Sequence, residues 1–386
     1  MKRHELERSL LGFVNGMRPE VDPPLAVDPE TALFEDRVIN SLRILDLIAF
    51  VEEATGSRIP DAAVRLENFR TVRAIVEAFG RDSEDARNET ISQAGRDHEP
   101  IRVFARRAGR IGFAQPVDSL LPRGELSLVS PGRAVFRGSP LGVLEFFDAV
   151  AREWAVDVGA REKAVPAHLP REILARAGCP MPHSTLGASR VPPAVCYHVY
   201  RDHQGMRLHS TPLLLTVRGR CARDEESLDL AGGRLRDFQM REIVALGSRE
   251  DVETFRRGMI ERACRLMTDL DLEGRIEIAG DPFFLQGAAE EARGRRLMQQ
   301  VLPLKYELRL RLDEHGRLCA VASFNHHLNF FGRRFGIRLP SGSTAHTGCV
   351  AFGLERWTLA FLAQHGTDER GWPGPVREFC SQEVEG

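Results

Sequence analysis

A polar stretch at residues 81–100, RDSEDARNETISQAGRDHEP, is the feature that most constrains how this chain folds. It carries charges of both signs and very few apolar side chains, so it has little to bury in a core. We therefore interpret residues 83–100 as a linker between two independently folded parts. The predicted organisation is a small domain at 1–82 and a larger domain at 101–386, in line with the roughly two to three domains expected for such a length.

The bulk composition excludes several classes of protein. With 42% hydrophobic and 28% charged residues the chain is globular, and no apolar run reaches the roughly 20 residues that cross a bilayer. The apolar run near the N-terminus is too short for a secretory signal, so we expect a cytoplasmic protein. A net charge of −2 argues against an extended surface for nucleic acid, tRNA included. The seven cysteines contain no CxxC pair, so any metal site must be assembled from residues distant in sequence.

Residues 30–79 have the pattern of a small helical unit. Apolar residues recur at helical spacing before Gly56 ends the run, at Leu42, Leu45, Ile48 and Ala49. A second apolar set follows Pro60 and indicates short helices that pack against the first one. Together these patterns predict a small helical bundle at the N-terminus.

Asn40-Ser41-Leu42 and the later EEATGSRIPD resemble the acyl and peptidyl carrier proteins, whose second helix begins with Asp-Ser-Leu. The resemblance implies a four-helix bundle in which Ser41 carries 4′-phosphopantetheine, attached by a phosphopantetheinyl transferase. A serine at a helix N-terminus lies at the positive end of the helix dipole, which suits a phosphodiester. The alternative is that Ser41 is only an N-cap. Asn40 departs from the family, which has aspartate there.

The second part alternates β-rich runs, such as residues 211–217, 243–246 and 306–312, with helical stretches such as 251–266. This order predicts an α+β fold built on a mainly antiparallel sheet flanked by helices.

Two segments of this part resemble the ATP-binding motifs of class II aminoacyl-tRNA synthetases. GCVAFGLERW at 348–357 is similar to motif 3, and RCARDE at 220–225 with the return strand at 234–242 is similar to motif 2. The resemblance implies catalytic roles for Arg223 at the α-phosphate and Arg356 at the γ-phosphate. A carboxylate that attacks the α-phosphorus builds negative charge on the phosphate oxygens, and fixed guanidinium groups stabilise that charge.

The same motifs imply how the adenine is bound. By this resemblance we expect Glu225 to hold the adenine amine and Phe238 to stack on the base. Taken singly, each of the two arginines is more often a solvated surface charge, and it is the order of motif 2 and motif 3 along the chain that favours a nucleotide site. Related synthetases place a glutamate that holds the ATP magnesium where this chain reads Leu318-Cys319-Ala320-Val321, with Glu307 or Glu355 as possible substitutes.

Within the class, the chain resembles seryl-tRNA synthetase and above all its truncated bacterial relatives, the amino acid:[carrier protein] ligases. The matching phrases are MREIV, DPFF, LKYEL, SFNHH and TGCVAFG. The resemblance implies ATP-dependent activation of a small amino acid, glycine or alanine, and its transfer to a phosphopantetheine thiol in a carrier domain, in cis or in trans. It also implies substrate contacts from Asn325 and Lys305, and a homodimer that pairs through a motif 1 helix and strand within residues 143–170.

The ligase resemblance further implies a zinc ion held by Cys196, Glu242 and Cys349. Three protein ligands leave one position open, which is the pattern of a functional zinc site. In these ligases the open position takes the substrate amine. Without the resemblance each cysteine is read as a buried apolar residue. His326 and His327 are predicted to serve packing and hydrogen bonding rather than catalysis.

Two other functions remain open at this point. One is a tRNA-charging paralogue of seryl-tRNA synthetase, and the absence of a coiled-coil arm argues against it. The other is a diverged, non-enzymatic module that docks a carrier protein, a reading that Ala320 favours because it lacks the carboxylate of a magnesium ligand.

Overall fold

A computed structural model describes residues 3–16, 27–31, 33, 44–60, 63–64, 66–80, 102–106, 113–114, 116–179, 188–225, 227–279 and 304–383. The chain divides into two compact units, Met1–Pro100 with Ala279–Pro303 and Ile101–Ile278 with Leu304–Gly386. The boundaries 1–82, 83–100 and 101–386 stay predictions. Ser41, the linker and the DPFF phrase lie outside the described residues.

Four helices are described in the first unit: α1 (Arg3–Gly16), α2 (Ile44–Thr55), α3 (Leu66–Phe69) and α4 (Val72–Phe79). α2 ends just before Gly56, whose φ of 65° is left-handed, as the sequence predicts. Phe13 of α1 and Phe50 of α2 stack with their ring centroids 4.1 Å apart. The helical character is therefore confirmed, whereas the carrier-protein identity of this unit stays a prediction.

The second unit contains twelve described strands: β1 (Arg102–Arg106), β2 (Leu126–Ser130), β3 (Arg133–Phe136), β4 (Arg161–Lys163), β5 (Leu169–Pro170), β6 (Ser189–Arg190), β7 (Leu213–Ala222), β8 (Asp237–Gly247), β9 (Gly274–Ile278), β10 (Lys305–Arg311), β11 (Leu318–His326) and β12 (His346–Gly353). Its described helices are α5 (Pro116–Leu120), α6 (Ser139–Asp157), α7 (Arg171–Arg176), α8 (Cys196–Asp202), α9 (Arg249–Asp269), α10 (Phe330–Phe335), α11 (Leu354–His365) and α12 (Gly374–Glu383), with a 3₁₀ turn at Glu369–Gly371. None of the helices described is both long and apolar enough to cross a bilayer.

Ten of these strands form one sheet. Its order runs β1-β9-β10-β11-β12-β8-β3-β2, and β7 pairs with both β8 and β4. All pairs are antiparallel except β3 with β8 and β4 with β7. The prediction of an α+β unit with a mainly antiparallel sheet is confirmed.

The two faces of the sheet have different environments because side chains alternate along each strand. On β12, Val350 and Phe352 point into the hydrophobic core. That core includes Trp357 of α11, which stacks on Phe147 of α6 with centroids 4.6 Å apart. Cys349 and Ala351 belong to the opposite face, where the polar residues of the candidate site lie. The core thus fixes the strands that carry the site.

The segment 143–170, predicted to hold a helix and a strand, contains most of α6 followed by β4 and the two-residue β5. Asp148 of α6 accepts two hydrogen bonds from Arg241 of β8, at 2.6 and 2.9 Å, although both side chains are buried. Arg241 also donates to Glu162 of β4. A paired and hydrogen-bonded charge is tolerated in such a position. The network ties the helix to the sheet, and the homodimer stays a prediction.

Candidate functional site

Cys196, Glu242 and Cys349 come together on the polar face of the sheet. Cys196 is the first residue of α8, Glu242 lies on β8 and Cys349 on β12. One potential ligand atom from each residue lies within 4.8 Å of the other two, and all three residues are buried. The antiparallel register pairs Glu242 with Ala351, which places Glu242 diagonally across from Cys349. The predicted trio is therefore assembled from three distant segments of the chain.

Glu242 is fully buried but only partly hydrogen-bonded. Its Oε1 accepts the backbone N–H of Val195 at 2.8 Å, whereas Oε2 is buried without a hydrogen-bond partner in the described part of the chain. Burial raises the pKa of the Glu242 carboxyl. An unsatisfied carboxylate oxygen between two thiols is costly by itself, and a divalent cation would compensate it. Two sulfur ligands and one oxygen ligand fit zinc in a site with one open position.

Asn325 borders this trio. Its Nδ2 lies 3.0 Å from Oγ of Ser323 and 3.4 Å from Sγ of Cys349. Lys305 pairs with Asn325 in the β10–β11 register, and its Nζ forms an ion pair of 2.9 Å with Glu307. The two predicted substrate residues thus lie side by side on the polar face, next to one of the cysteines.

A second cluster contains the residues predicted to bind the nucleotide. Arg223, just after β7, lies with its Cζ 4.9 Å from the ring centroid of Phe238 on β8, and its Nε donates to the carbonyl of Pro193. Glu225 is half-buried in the same loop. An exposed or half-buried aromatic ring beside a guanidinium is a suitable platform for a base and its phosphates.

Arg356 lies at the start of α11 and is held by backbone groups. Its Nε donates to the carbonyl of Gly233 and its NH1 to the carbonyl of Ala320, each at 3.2 Å. In the described ranges no carboxylate forms an ion pair with it. Carbonyl oxygens orient the guanidinium without neutralising its charge, so the charge is retained for an anion.

Neither of the acids considered as substitutes for the missing magnesium ligand has free oxygen atoms. Both carboxylate oxygens of Glu355 lie 2.9 Å from the backbone N–H of Gln239, and burial raises the pKa of Glu355 to about 7. Glu307 forms ion pairs with Lys305 and Arg309. Ala320 lies where the β10–β11 register shifts. Such irregularities redirect side chains next to active sites.

Tyr200 and Gly233 are parts of these clusters that sequence reasoning did not identify. Tyr200 is fully buried, lies four residues after Cys196 on α8, and interacts electrostatically with that cysteine. The i, i+4 spacing on one helix face was the signal that could have found it. Gly233, with φ of 65°, contacts Arg356 closely, and the Gly-Gly pair at 232–233 was its signal.

The architecture is that of the class II aminoacyl-tRNA synthetases. The crystal structure of seryl-tRNA synthetase from Pyrococcus horikoshii, complexed with ATP, matches 70% of this chain and 63% of its own chain with a TM-score of 0.57 at 16% identity. At that identity the likeness defines the fold alone. No protein-family profile matches the chain.

Sequence comparison is more specific. The chain is homologous to amino acid–[acyl-carrier-protein] ligase 1 of Bradyrhizobium diazoefficiens, with 39% identity over 188 residues, 48% of this chain and 56% of the relative. A type-2 serine–tRNA ligase of Methanococcus aeolicus is 33% identical over 191 residues, 48% of this chain and 36% of the relative. The chain therefore spans about half the length, or less, of these curated relatives.

Proposed function

We propose that the chain is an amino acid:[carrier protein] ligase, which uses ATP to activate a small amino acid and transfers it to a phosphopantetheine thiol. The observation that carries the proposal is the convergence of Cys196, Glu242 and Cys349 around a buried, unsatisfied carboxylate oxygen. The sequence relatives at 39% identity support transfer to a carrier protein, because that is the activity they are named for.

The first step joins the amino acid to the nucleotide. A carboxylate oxygen of the amino acid bonds to the α-phosphorus of ATP, and pyrophosphate leaves with the electron pair of the broken bond. Phe238 would stack on the adenine, and Arg223 beside it would meet the α-phosphate. Arg356, whose charge is not neutralised by its carbonyl partners, would meet the γ-phosphate. Because both guanidinium groups are already oriented, they need not reorganise as charge builds on the phosphates.

The three predicted metal ligands would recognise the amine of the substrate. Cys196, Glu242 and Cys349 would hold a zinc ion, which when bound offers an acid site for the lone pair of an unprotonated amine. Asn325 and Lys305, on the neighbouring strands, would contact the rest of the substrate. A simple carboxylic acid lacks the amine, so the site would discriminate against it. The preference for glycine or alanine rests on the resemblance to the ligases.

In the second step the phosphopantetheine sulfur bonds to the carbonyl carbon of the adenylate, the thiol proton is released and AMP leaves. We place the acceptor thiol on Ser41 of the N-terminal unit, loaded in cis or across a homodimer. The support for this placement is the carrier-like sequence around Ser41 and the helical character of its unit.

Intact-mass measurement tests the whole proposal. The full chain is produced with a phosphopantetheinyl transferase and weighed before and after incubation with ATP and each small amino acid. We expect a phosphopantetheine adduct, and then an aminoacyl adduct that hydroxylamine removes, as it does for thioesters. The Ser41→Ala variant should show neither adduct. An aminoacyl thioester on that variant would place the acceptor elsewhere.

Two alternatives have their own support. The type-2 serine–tRNA ligase relatives favour tRNA charging, and retention of bulk tRNA on a filter with the chain would support it. Ala320, in place of an acidic residue, favours a docking module without ATP chemistry. Absence of amino-acid-dependent pyrophosphate exchange would support the docking module and overturn the ligase.

A further inference from the structure

Two buried side chains connect the sulfur atoms of Cys196 and Cys349. The hydroxyl of Tyr200, one helical turn after Cys196 and under its electrostatic influence, lies 3.2 Å from Nδ1 of His327. On the other side of the ring, Nε2 of His327 lies 3.8 Å from Sγ of Cys349. His327 is 8% exposed and Tyr200 is fully buried, so water does not substitute for either contact. The order of groups is therefore sulfur, hydroxyl, imidazole, sulfur.

The hydrogen atoms on this chain of groups can be assigned by counting donors. A neutral imidazole has one N–H donor and one acceptor nitrogen. Nδ1 of His327 faces two hydroxyl groups, because Oγ1 of Thr347 also lies 3.3 Å from it. If Thr347 donates to Nδ1, the Tyr200 proton is available to Cys196 and the ring proton of His327 stays on Nε2. In the other tautomer a nitrogen lone pair would face the Cys349 sulfur, which is unfavourable when that sulfur is a ligand.

The first assignment gives each sulfur a donor. Cys349 receives the N–H of His327 at 3.8 Å, and the hydroxyl of Tyr200 is left to donate towards Cys196. Cys349 also has Nδ2 of Asn325 at 3.4 Å. Hydrogen bonds of this kind hold the ligands of a metal in place and adjust their electron density.

We infer that His327, fixed as its Nε2–H tautomer by Thr347, is a positioning residue that sets the metal affinity of the site through Cys349, with Tyr200 doing the same for Cys196. The inference rests on the proposed zinc site and deepens it. In this role His327 acts through the metal ligand Cys349 and not by contact with substrate or nucleotide.

His326 provides a matched control for this inference. It is the adjacent residue, of the same type and also buried, but its Nε2 lies 3.2 Å from His346 and its side chain belongs to the opposite face of the sheet. A His326→Phe variant therefore removes a buried imidazole at the same place in the chain without touching the cysteines. Any effect that arises only from altered packing should appear in both variants.

The experiment measures zinc affinity of the full chain by competition with a chromophoric chelator, without any assay of activity. We expect His327→Phe to weaken zinc binding by roughly 10–100-fold. His327→Gln should recover most of the affinity, because its amide N–H replaces the Nε2–H donor. His326→Phe should bind zinc as the wild type does. In cobalt-substituted protein, the sulfur-to-metal charge-transfer band should shift in His327→Phe and not in His326→Phe.

The outcomes separate this inference from the function on which it rests. Wild-type zinc binding with unchanged affinity in His327→Phe overturns the role of His327 and leaves the metal site intact. Wild-type protein that binds no zinc overturns both. If His327→Phe does not fold, Thr347→Val replaces it, since the loss of the hydroxyl releases the tautomer. A Thr347→Val variant with wild-type affinity and an unchanged cobalt spectrum then overturns the inference.

Discussion

The carbonyl oxygen of Gly233 accepts a hydrogen bond from Nε of Arg356 at 3.2 Å, and the α-carbon of Gly233 faces the same side chain. A β-carbon at Gly233 would lie 2.8 Å from Cγ and 3.1 Å from Cα of Arg356. With φ at 65°, this position also disfavours any other residue. The glycine thus permits the close approach that orients the guanidinium.

Gly233→Ala should therefore displace Arg356 and lower the rate of amino-acid-dependent pyrophosphate exchange by about 10-fold or more, as the loss of one oriented charge does. Gly316→Ala is the control, because Gly316 also has positive φ but has no atom within 4 Å of the added carbon. Equal exchange rates in the two variants would contradict the positioning of Arg356 by Gly233.

Replacement of Phe238 by leucine should raise the KM for ATP by roughly 10-fold, since stacking of a base on an aromatic ring contributes about 1–3 kcal/mol. Steady-state pyrophosphate exchange at varied ATP measures the change. Phe238→Tyr keeps the ring and should stay near the wild type. An unchanged KM in the leucine variant would remove Phe238 from the nucleotide site.

Cys196→Ala should eliminate bound zinc and, with it, amino-acid-dependent pyrophosphate exchange, because two ligands do not hold the ion. Zinc content by atomic emission and the exchange rate are measured on the same sample. Cys264→Ala, which removes a half-buried cysteine packed against the hydrophobic core, should keep both. Full exchange activity in a zinc-free Cys196→Ala protein would show that the metal is dispensable.

Glu355 should make the stability of the second unit depend on pH. Burial raises its pKa from 4.5 to about 7, so the folded state binds this proton more tightly than the unfolded state does. The stabilisation is complete below pH 4.5 and is lost as pH rises towards 7, by on the order of 3 kcal/mol.

Urea unfolding of the wild type and of Glu355→Gln at pH 5 and pH 8 measures this effect. The three tryptophans, Trp154, Trp357 and Trp372, all belong to the second unit, so their fluorescence reports on it. The difference in unfolding free energy between the two proteins should change by about 2.5 kcal/mol in favour of the variant at the higher pH. A difference that is independent of pH would contradict the raised pKa.

Much of the fold followed from local patterns in the sequence. The runs at 211–217, 243–246 and 306–312 contribute to β7, β8 and β10, and the helical stretch at 251–266 lies within α9. Alternation along a strand and apolar spacing along a helix are local properties, which explains this success. The segment around Ser41 is outside the described residues, so the phosphopantetheine site stays a prediction.

The site was accessible to sequence reasoning only in part. Cys196, Glu242 and Cys349 were found through family likeness, because their approach depends on strand register that no local pattern contains. The role of Thr347 beside His327 depends on the β11–β12 register and on the turn between β11 and α10. The close approach of Gly233 to Arg356 could not be predicted from the sequence, because it joins two segments that are far apart along the chain.

β8 carries both Phe238 and Glu242 on the polar face, four positions apart on one continuous strand. At about 3.4 Å per residue, the backbone fixes these positions roughly 13–14 Å apart. If the ring holds the base and the carboxylate helps to hold the amine, the strand fixes the distance between the base and the amine of the bound aminoacyl adenylate. An amino acid whose amine is one carbon further from its carboxyl group would not match that length. We therefore expect β-alanine to be rejected, although it is no bulkier than alanine.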